Sequence, residues 1–523
     1  MKSLQFIDYL IFGIYFIIVF GLAFWVSRKP KDHKRNAEDY FLAGRSLPWW
    51  IIGASLIASN ISTEQIIGMN GTAFESGIAV ISYSLIGASL SILIVAKFFL
   101  PKFLSSKIYS MPEFLEKRYD RRVSTTMGMF WILVYVFVNL TSVLSLGAIT
   151  LNAVLGIPIL YSVFALAMVS AIYTIYGGLS AVAWTDFVQV AVLILGGIAV
   201  VWLGLDKVAN INGDSGVVSG FEHLFNFQQE KFHTVLPVDH HELPWTGVFF
   251  GGLWIAALSY WGCNQYIIQR ALAAKNMNEA RNGLLFAAFL SMVVAVIIVL
   301  PGVIASELYS DLIVSRDEAF PILIRELLPA GYAGLVIAAL IAAIISSLNS
   351  MCNSVATIFT MDVYRYSINK DASQTQLVKV GRYVTAMALL LAVIVTPSIA
   401  SLGKLFAFIQ EYTGFVTPGV LCIFLLGLFW KKMSPQAALW AVLLTIPVSV
   451  GFKFIFPDLA FLDRMALTFI LLVIVSVGIS LKGQFLYKDN FNANGSRERS
   501  SAIFNVGALL IISMIAIFYI VFW

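Results

Sequence analysis

The run Trp49-Trp50-Ile51-Ile52-Gly53-Ala54-Ser55-Leu56-Ile57-Ala58-Ser59-Asn60-Ile61-Ser62-Thr63-Glu64-Gln65-Ile66-Ile67-Gly68-Met69 is apolar at both ends and polar in the middle. Its length suits a helix that crosses a hydrocarbon core of about 30 Å. Its centre, Ser59 to Gln65, does not suit a helix that faces lipid. It reads as a helix broken midway, whose freed carbonyls and amides lipid leaves unsatisfied but a bound ion or solute satisfies. A second run, Gly251-Gly252-Leu253-Trp254-Ile255-Ala256-Ala257-Leu258-Ser259-Tyr260-Trp261-Gly262, is bracketed by glycines. Small and polar residues also ease ordinary helix packing in membranes, so one such run decides little. Two of them, opening corresponding five-segment halves at 48–205 and 245–430, point to a midplane site between repeats.

Outward from that pair the chain reads as membrane throughout. Of its 523 residues 59% are hydrophobic and 12% charged, against roughly a quarter charged in a soluble domain. Fourteen apolar segments follow one another, at 5–27, 48–72, 77–104, 124–152, 156–176, 179–205, 245–268, 281–305, 331–360, 379–399, 403–430, 435–455, 464–482 and 502–521. The expectation is an all-α polytopic membrane protein with about fourteen transmembrane helices. The first segment is too long for a signal-peptide core and lacks a small-x-small cleavage site, so it reads as retained. An N-terminal helix and loop at 1–47, a loop at 206–244 and peripheral helices at 431–523 complete the division.

Basic residues concentrate in alternate loops. Arg28, Lys29, Lys31, Lys34, Arg35 and Arg45 fill the first, and Lys102, Lys107, Lys117, Arg118, Arg121 and Arg122 the third. Arg270, Lys275 and Arg281, then Arg365 and Lys370, Lys431 and Lys432, and Lys482, Lys488, Arg497 and Arg499 fall on that same side. The positive-inside rule makes it cytoplasmic. The opposite loops are short, or mixed to acidic, as with Glu307, Asp311, Asp317, Glu318 and Glu326. Both termini are then extracytoplasmic.

In Ala342-Ala343-Ile344-Ile345-Ser346-Ser347-Leu348-Asn349-Ser350, the residues Ala343, Ser346 and Ser347 share one helix face. A serine inside the membrane often bonds its own i−4 carbonyl. Beside an unwound stretch that frees the carbonyls of Ala58 and Ile61, two hydroxyls would also suit an oxygen-lined site for sodium, and the serine pair alone does not choose between the two readings. Ionisable residues within spans are functional candidates, and Glu64, Asp186 and Glu411 qualify. Asp186 also stands near a helix start, where simple dipole stabilisation accounts for an acid. His223, His233, His240 and His241 in loop 206–244 lack ordered ligand spacing, and no metal other than sodium is expected. Cys263, Cys352 and Cys422 lie in apolar segments and behave as small hydrophobes. The sequons at Asn60, Asn139 and Asn494 fall within spans or on the cytoplasmic side and are discounted. Neither a nucleotide-binding loop nor a nucleophile elbow is present, so an ATP-driven pump or an enzyme finds no support.

Several longer stretches resemble a known family: Asp39-Tyr40-Phe41-Leu42-Ala43-Gly44-Arg45-Ser46-Leu47-Pro48-Trp49-Trp50, Ala58 to Gln65, Tyr176-Gly177-Gly178-Leu179-Ser180-Ala181-Val182, Asn264-Gln265-Tyr266-Ile267-Ile268-Gln269-Arg270 and Gln410-Glu411-Tyr412-Thr413-Gly414. They are similar to the sodium/solute symporter family, most closely its bacterial sodium/galactose (sodium/glucose-type) branch, from about residue 5 to 523. The resemblance implies a LeuT-like pair of inverted five-helix repeats in a cell membrane, bacterial and inner, working by alternating access. It implies sodium at Ala58, Ile61, Ala343, Ser346 and Ser347, with no other cofactor. Asp186 matches an aspartate tied to sodium release or a second sodium, which Ser347, Asn349 and Ser350 would complete. Met69, Tyr83 and Phe406 match an outer gate, and Tyr260, bonded to Asn60, an inner one.

For the solute, Gln65 and Gln410 match glutamines that bond sugar hydroxyls, and Tyr260 keeps a ring-stacking position. Where the sugar-carrying branch has Glu, Ser, Asn and Lys, this chain has Ser84, Gly87, Ala257 and Ser291. Each change shortens a side chain, and a site that loses its hydroxyl partners loses discrimination. The expectation is import of a hydroxylated solute, a sugar or a bulkier substituted sugar rather than galactose. The alternatives are a sodium-coupled monocarboxylate, polyol or vitamin carrier and, in another class, a solute sensor that does not transport.

Overall fold

The computed structural model describes residues 5–27, 36–62, 64–400, 405–482 and 500–523. Arg28, Lys29, Lys31, Lys34, Arg35, Thr63, Lys488, Asn494, Arg497 and Arg499 lie outside the described residues, as do the side chains of Glu64 and Phe406. The fold is all-α. Without water to satisfy backbone groups inside a bilayer, a long apolar run has only intrasegment hydrogen bonding open to it.

Twelve helices among the described residues are long and apolar enough to cross a membrane. The other two expected segments are present in altered form. Segment 48–72 is cut into a twelve-residue helix and shorter helical pieces beyond it. Segment 156–176 begins at Ile159 and runs through a kink into its successor. The kink is at Gly178, whose φ of +64° disfavours other residues and where a Cβ would lie 2.7 Å from the Tyr40 carbonyl.

The helices that position the site are α1 (Phe6–Ser27), α2 (Trp49–Asn60), α3 (Ile159–Ile211), α4 (Gly252–Cys263), α5 (Gln265–Leu272), α6 (Met277–Leu308), α7 (Tyr332–Thr357), α8 (Leu405–Gly414), α9 (Thr417–Phe429), α10 (Pro435–Ile455), α11 (Phe461–Lys482) and α12 (Ala502–Val521). The span that holds α7 is 94% buried, whereas those of α1 and α12 are 17% and 22% buried. That contrast makes α7 the axis and the terminal helices lipid-facing bark. Helix α7 packs on α2 and α3, and α3 packs in turn on α1, α2 and α6.

Among the described residues, three breaks bear on the site. Helix α2 stops where Ile61 turns extended, at φ −75° and ψ 104°, and the chain resumes as a π-helical turn at Glu64–Met69. In the seventh segment the break falls at Asn264, φ −78° and ψ 129°, beyond the glycine bracket. The glycines serve packing instead, since a Cβ on Gly252 would collide with the Leu462 carbonyl. The third break, between α8 and α9, was not expected from the sequence. There the Phe415 carbonyl leaves the helix and accepts from the hydroxyls of Thr445 and Ser449, each at 3.1 Å.

Charged side chains fasten helix ends. On α1, Asp8 accepts from the amides of Gly331 and Gly334 at 2.7 and 2.8 Å, and so caps the start of α7. At the other face Arg118 donates to the carbonyls of Gly427 and Trp430 at the end of α9, and Arg45 to those of Leu272 and Ile108. These arginines are helix caps as well as topological charges. The carbonyls of Phe522 and Trp523 accept from Thr234 and His233, so the C-terminal residues sit against loop 206–244.

Candidate ion and solute site

The break in α2 lies against the middle of α7. Ala58, Ile61 and Ala343 are 3%, 2% and 5% exposed, and Ser346 and Ser347 are fully buried. The Ser347 hydroxyl donates to the Ser59 carbonyl at 3.4 Å, at the last turn of α2. Two helices therefore bring one set of backbone and hydroxyl oxygens together, and a hard cation needs such a set.

The neighbouring Ser346 hydroxyl donates to Asp186 Oδ1 at 2.6 Å. Asp186 is wholly buried and lies eight positions beyond the kink in α3, not in a solvated first turn. Its Oδ2 accepts from Ser55 at 2.5 Å, and Arg270 Nη2 stands 3.4 Å away. Arg270 also donates to Ser55 at 2.6 Å, to Ser350 at 2.5 Å and to the Tyr266 carbonyl. Read from sequence as a loop charge, Arg270 is instead buried in α5, tying it to α2, α3 and α7. Asn349 lies apart from this cluster: its Oδ1 accepts from Ser170 at 2.6 Å and Thr174 at 2.7 Å.

Above the cluster lies a cavity of about 190 Å³. Gln65, Ser84, Gly87, Ala257, Tyr260 and Gln410 all line it, as do Asn60, Met69 and Tyr83. Ser291 does not; it is buried and donates to the Ser84 carbonyl at 3.4 Å. Gln65 Oε1 accepts from both the amide and the hydroxyl of Ser62, at 3.0 and 2.8 Å. It thus caps the restart of the broken helix and leaves its amide Nε2 to donate elsewhere. Tyr260 accepts from the Tyr266 hydroxyl at 2.8 Å. Below it Tyr135 donates to Asn264 Oδ1 at 2.6 Å, and the same oxygen accepts from the Tyr266 amide at 3.2 Å. This network turns the break at Asn264 into the polar floor of the cavity. A second cavity of about 190 Å³ opens beside the first; Tyr83, Gln410 and Phe461 stand in both walls, and His241, Glu242, Glu411 and Arg464 line the outer one.

Sequence reasoning missed Arg270, Ser55 and the third break. Two of them left a signal: a lone arginine in the run Tyr266-Ile267-Ile268-Gln269-Arg270-Ala271-Leu272, and Thr417-Pro418-Gly419 directly after Gly414-Phe415-Val416.

Residues 40–445 match the profile of the sodium:solute symporter family. The chain is 44% identical to the sodium/glucose cotransporter of Vibrio parahaemolyticus over 542 aligned positions, covering all of this chain and 99% of that one. The chain belongs to the sodium:solute symporter family. This symporter is also 33% identical to the sodium/myo-inositol cotransporter 2 of Oryctolagus cuniculus, across 85% of its own length and 69% of that protein. Its fold matches the substrate-bound outward-open structure of a Na⁺-coupled sialic acid symporter with a TM-score of 0.79, at 22% identity, over 91% of this chain and 98% of that one. It is a multi-pass membrane transporter that couples its solute to sodium, with a LeuT-like helical core, and not an enzyme.

Proposed function

We propose that the symporter binds sodium where α2 breaks against α7, at Ala58, Ile61, Ala343, Ser346 and Ser347, and imports a sugar or polyol held in the adjoining cavity. One observation carries this reading: Gln65 lines the cavity and its carbonyl oxygen holds Ser62 at the α2 break. An ion that fixes the break also fixes a solute contact, so sodium and solute raise each other's affinity, as linkage requires. The names of the glucose and myo-inositol relatives support a hydroxylated solute. Ser84, Gly87 and Ala257 leave space in the wall, which favours a substituted sugar over galactose.

Met69 and Tyr83, with Phe406, serve as the outer gate and Tyr260 with Asn60 as the inner one. A second sodium at Asp186, Ser347 and Ser350 has to displace Arg270, and Asn349 joins it only by leaving Ser170 and Thr174. Arg45 reaches the carbonyls of Leu272 and Ile108, beside the loop residues Lys275 and Lys107, and this gathering of basic loops supports extracytoplasmic termini in a bacterial inner membrane.

The test is uptake into proteoliposomes of labelled glucose, galactose, myo-inositol and an N-acetylated sugar acid, under an inward sodium gradient or with potassium substituted. The expected result is sodium-dependent accumulation that Ser346→Ala with Ser347→Ala abolishes. Gln410→Ala weakens solute affinity about tenfold with sodium binding intact. Equal uptake in potassium, or a double serine variant that keeps its sodium dependence, overturns the ion site; a preference for galactose overturns the substituted-sugar reading.

A further inference from the structure

Glu411 follows Gln410 on α8, and both line the second cavity. Gln410, Thr413 and Gly414 line the central cavity. Glu411, turned about 100° around the helix, accepts from Arg464 Nη2 of α11 at 2.9 Å and from Lys453 Nζ of α10 at 3.1 Å. Arg464 is itself anchored, donating to the carbonyls of Phe456 and Pro457 at 3.4 and 3.1 Å. The ammonium of Lys453 also lies 5.4 Å from the Tyr412 ring centre. One turn further on, α8 stops at the break where Thr445 and Ser449 of α10 hold the Phe415 carbonyl. The last turn of a ten-residue helix is thus gripped at two points by peripheral helices, with Gln410 beside one grip.

We infer that Glu411, Arg464 and Lys453 form a latch that sets where Gln410 stands, which makes Glu411 a positioning residue for solute recognition. This rests on the reading of Gln410 as a solute contact. Gln410 and Tyr83 wall both the central cavity and the outer one, so the latch also sets the width of the passage between the two. Releasing it lets α8 swing outward, which opens that passage and loosens the hold on solute. The sodium site, on α2 and α7, is untouched.

The test needs no knowledge of the solute. Cys263, Cys352 and Cys422 are buried, so in Gln410→Cys the labelling of the added thiol by a membrane-impermeant maleimide reports on α8 alone. With Glu411→Gln or Arg464→Gln added, the labelling rate in sodium rises about fivefold, the scale of a partly exposed ion-pair network. With both added it rises little further, because one latch is broken once. Glu411→Asp keeps the charge and recovers most of the wild-type rate. On the Gln410 background, Glu411→Gln raises KM for glucose or myo-inositol about fivefold and leaves kcat and sodium affinity within about twofold.

Unchanged labelling in both variants, or effects that multiply when combined, overturns the latch. If Gln410→Ala leaves uptake unaltered, the solute reading of the cavity falls while the labelling result stands. If Gln410→Ala weakens uptake but labelling does not respond, the latch alone falls. Arg464→Gln carries the same measurement should Glu411→Gln not reach the membrane.

Discussion

Replacing Arg270 by methionine keeps the length of the side chain and removes its charge. At 3.4 Å from Asp186, two unit charges attract by about 5 kcal/mol at an effective dielectric constant of 20. Desolvating both ions offsets much of that, so the pair adds little net stability over an apolar substitute. Removing one partner is a different matter. Asp186 would keep the hydroxyls of Ser55 and Ser346 but lose its only cation among the described residues. A stranded buried charge costs about 3–5 kcal/mol. Arg270→Met therefore lowers the apparent Tm of the detergent-solubilised protein strongly, and Asp186→Asn by a comparable amount. The double variant returns to within about 1–2 kcal/mol of wild type, a coupling of at least about 4 kcal/mol.

Sodium sharpens the test. In Arg270→Met the vacated carboxylate becomes a cation site, and a ligand at a hundred times its Kd adds about 2.7 kcal/mol to stability. Sodium in place of potassium should therefore raise the Tm of Arg270→Met more than that of wild type, and that of Asp186→Asn/Arg270→Met less. Membrane proteins often unfold irreversibly, so scans at one rate are compared with one another. A double variant as unstable as the sum of the singles would refute the pairing. An Arg270→Met variant indifferent to sodium would refute the idea that a cation can stand in for the guanidinium.

Asp8→Ala strips the cap from α7 and costs about 2 kcal/mol, whereas Asp8→Asn, still an acceptor, costs less; equal Tm values for the two would count against capping. Gly334→Ala destabilises for a steric reason, because its Cβ would sit 2.5 Å from the Asp8 carbonyl; a wild-type Tm would contradict that contact. In loop 206–244, burial holds the pKa of His240 below its ordinary value, against the pull of Glu242, and its Nδ1 accepts from the amides of Glu242 and Leu243 at 3.3 and 3.1 Å. The open loop takes up a proton near pH 6.5 and the closed loop only at lower pH, so this stabilisation is complete above about pH 6.5 and lost as pH falls towards the lowered value. Hydrogen exchange at residues 240–243, corrected for intrinsic rates, should speed up between pH 7.5 and 5.5 in wild type but not in His240→Gln; identical profiles would refute the assignment.

The membrane fold was legible because hydropathy is additive along a chain. Each apolar run announces its own helix, and the polar centre around Asn60 announced a break. Six of the seven solute positions reached one cavity, but the resemblance supplied them, and periodicity alone names none of them. What stayed hidden was pairing. Arg270 and Asp186 are 84 positions apart, and each has an ordinary local explanation, a cytoplasmic charge and a helix-start acid. Only the packing of both α5 and α3 against α2 and α7 makes them partners. Glu411 was equally mute, since its cations come from α10 and α11, helices that read as lipid-facing bark.

This failure has a physical pattern. Burying an ion is tolerable only with its counter-ion, and a broken helix places the partners on separate segments that can move relative to one another. The Asp186–Arg270 cluster joins the second half of the seventh segment, α5, to α2, α3 and α7, whereas the Glu411 cluster joins the first half of the eleventh, α8, to α10 and α11. Each ion pair thus crosses from a half-helix to its surroundings, on opposite sides of the solute cavity. Alternating access requires contacts that can be surrendered on one side while they are kept on the other. A partly exposed pair such as Glu411–Arg464 can be surrendered to water at low cost. A dry pair such as Asp186–Arg270 needs a replacement charge before it opens, and the transported cation is a charge that arrives on every cycle.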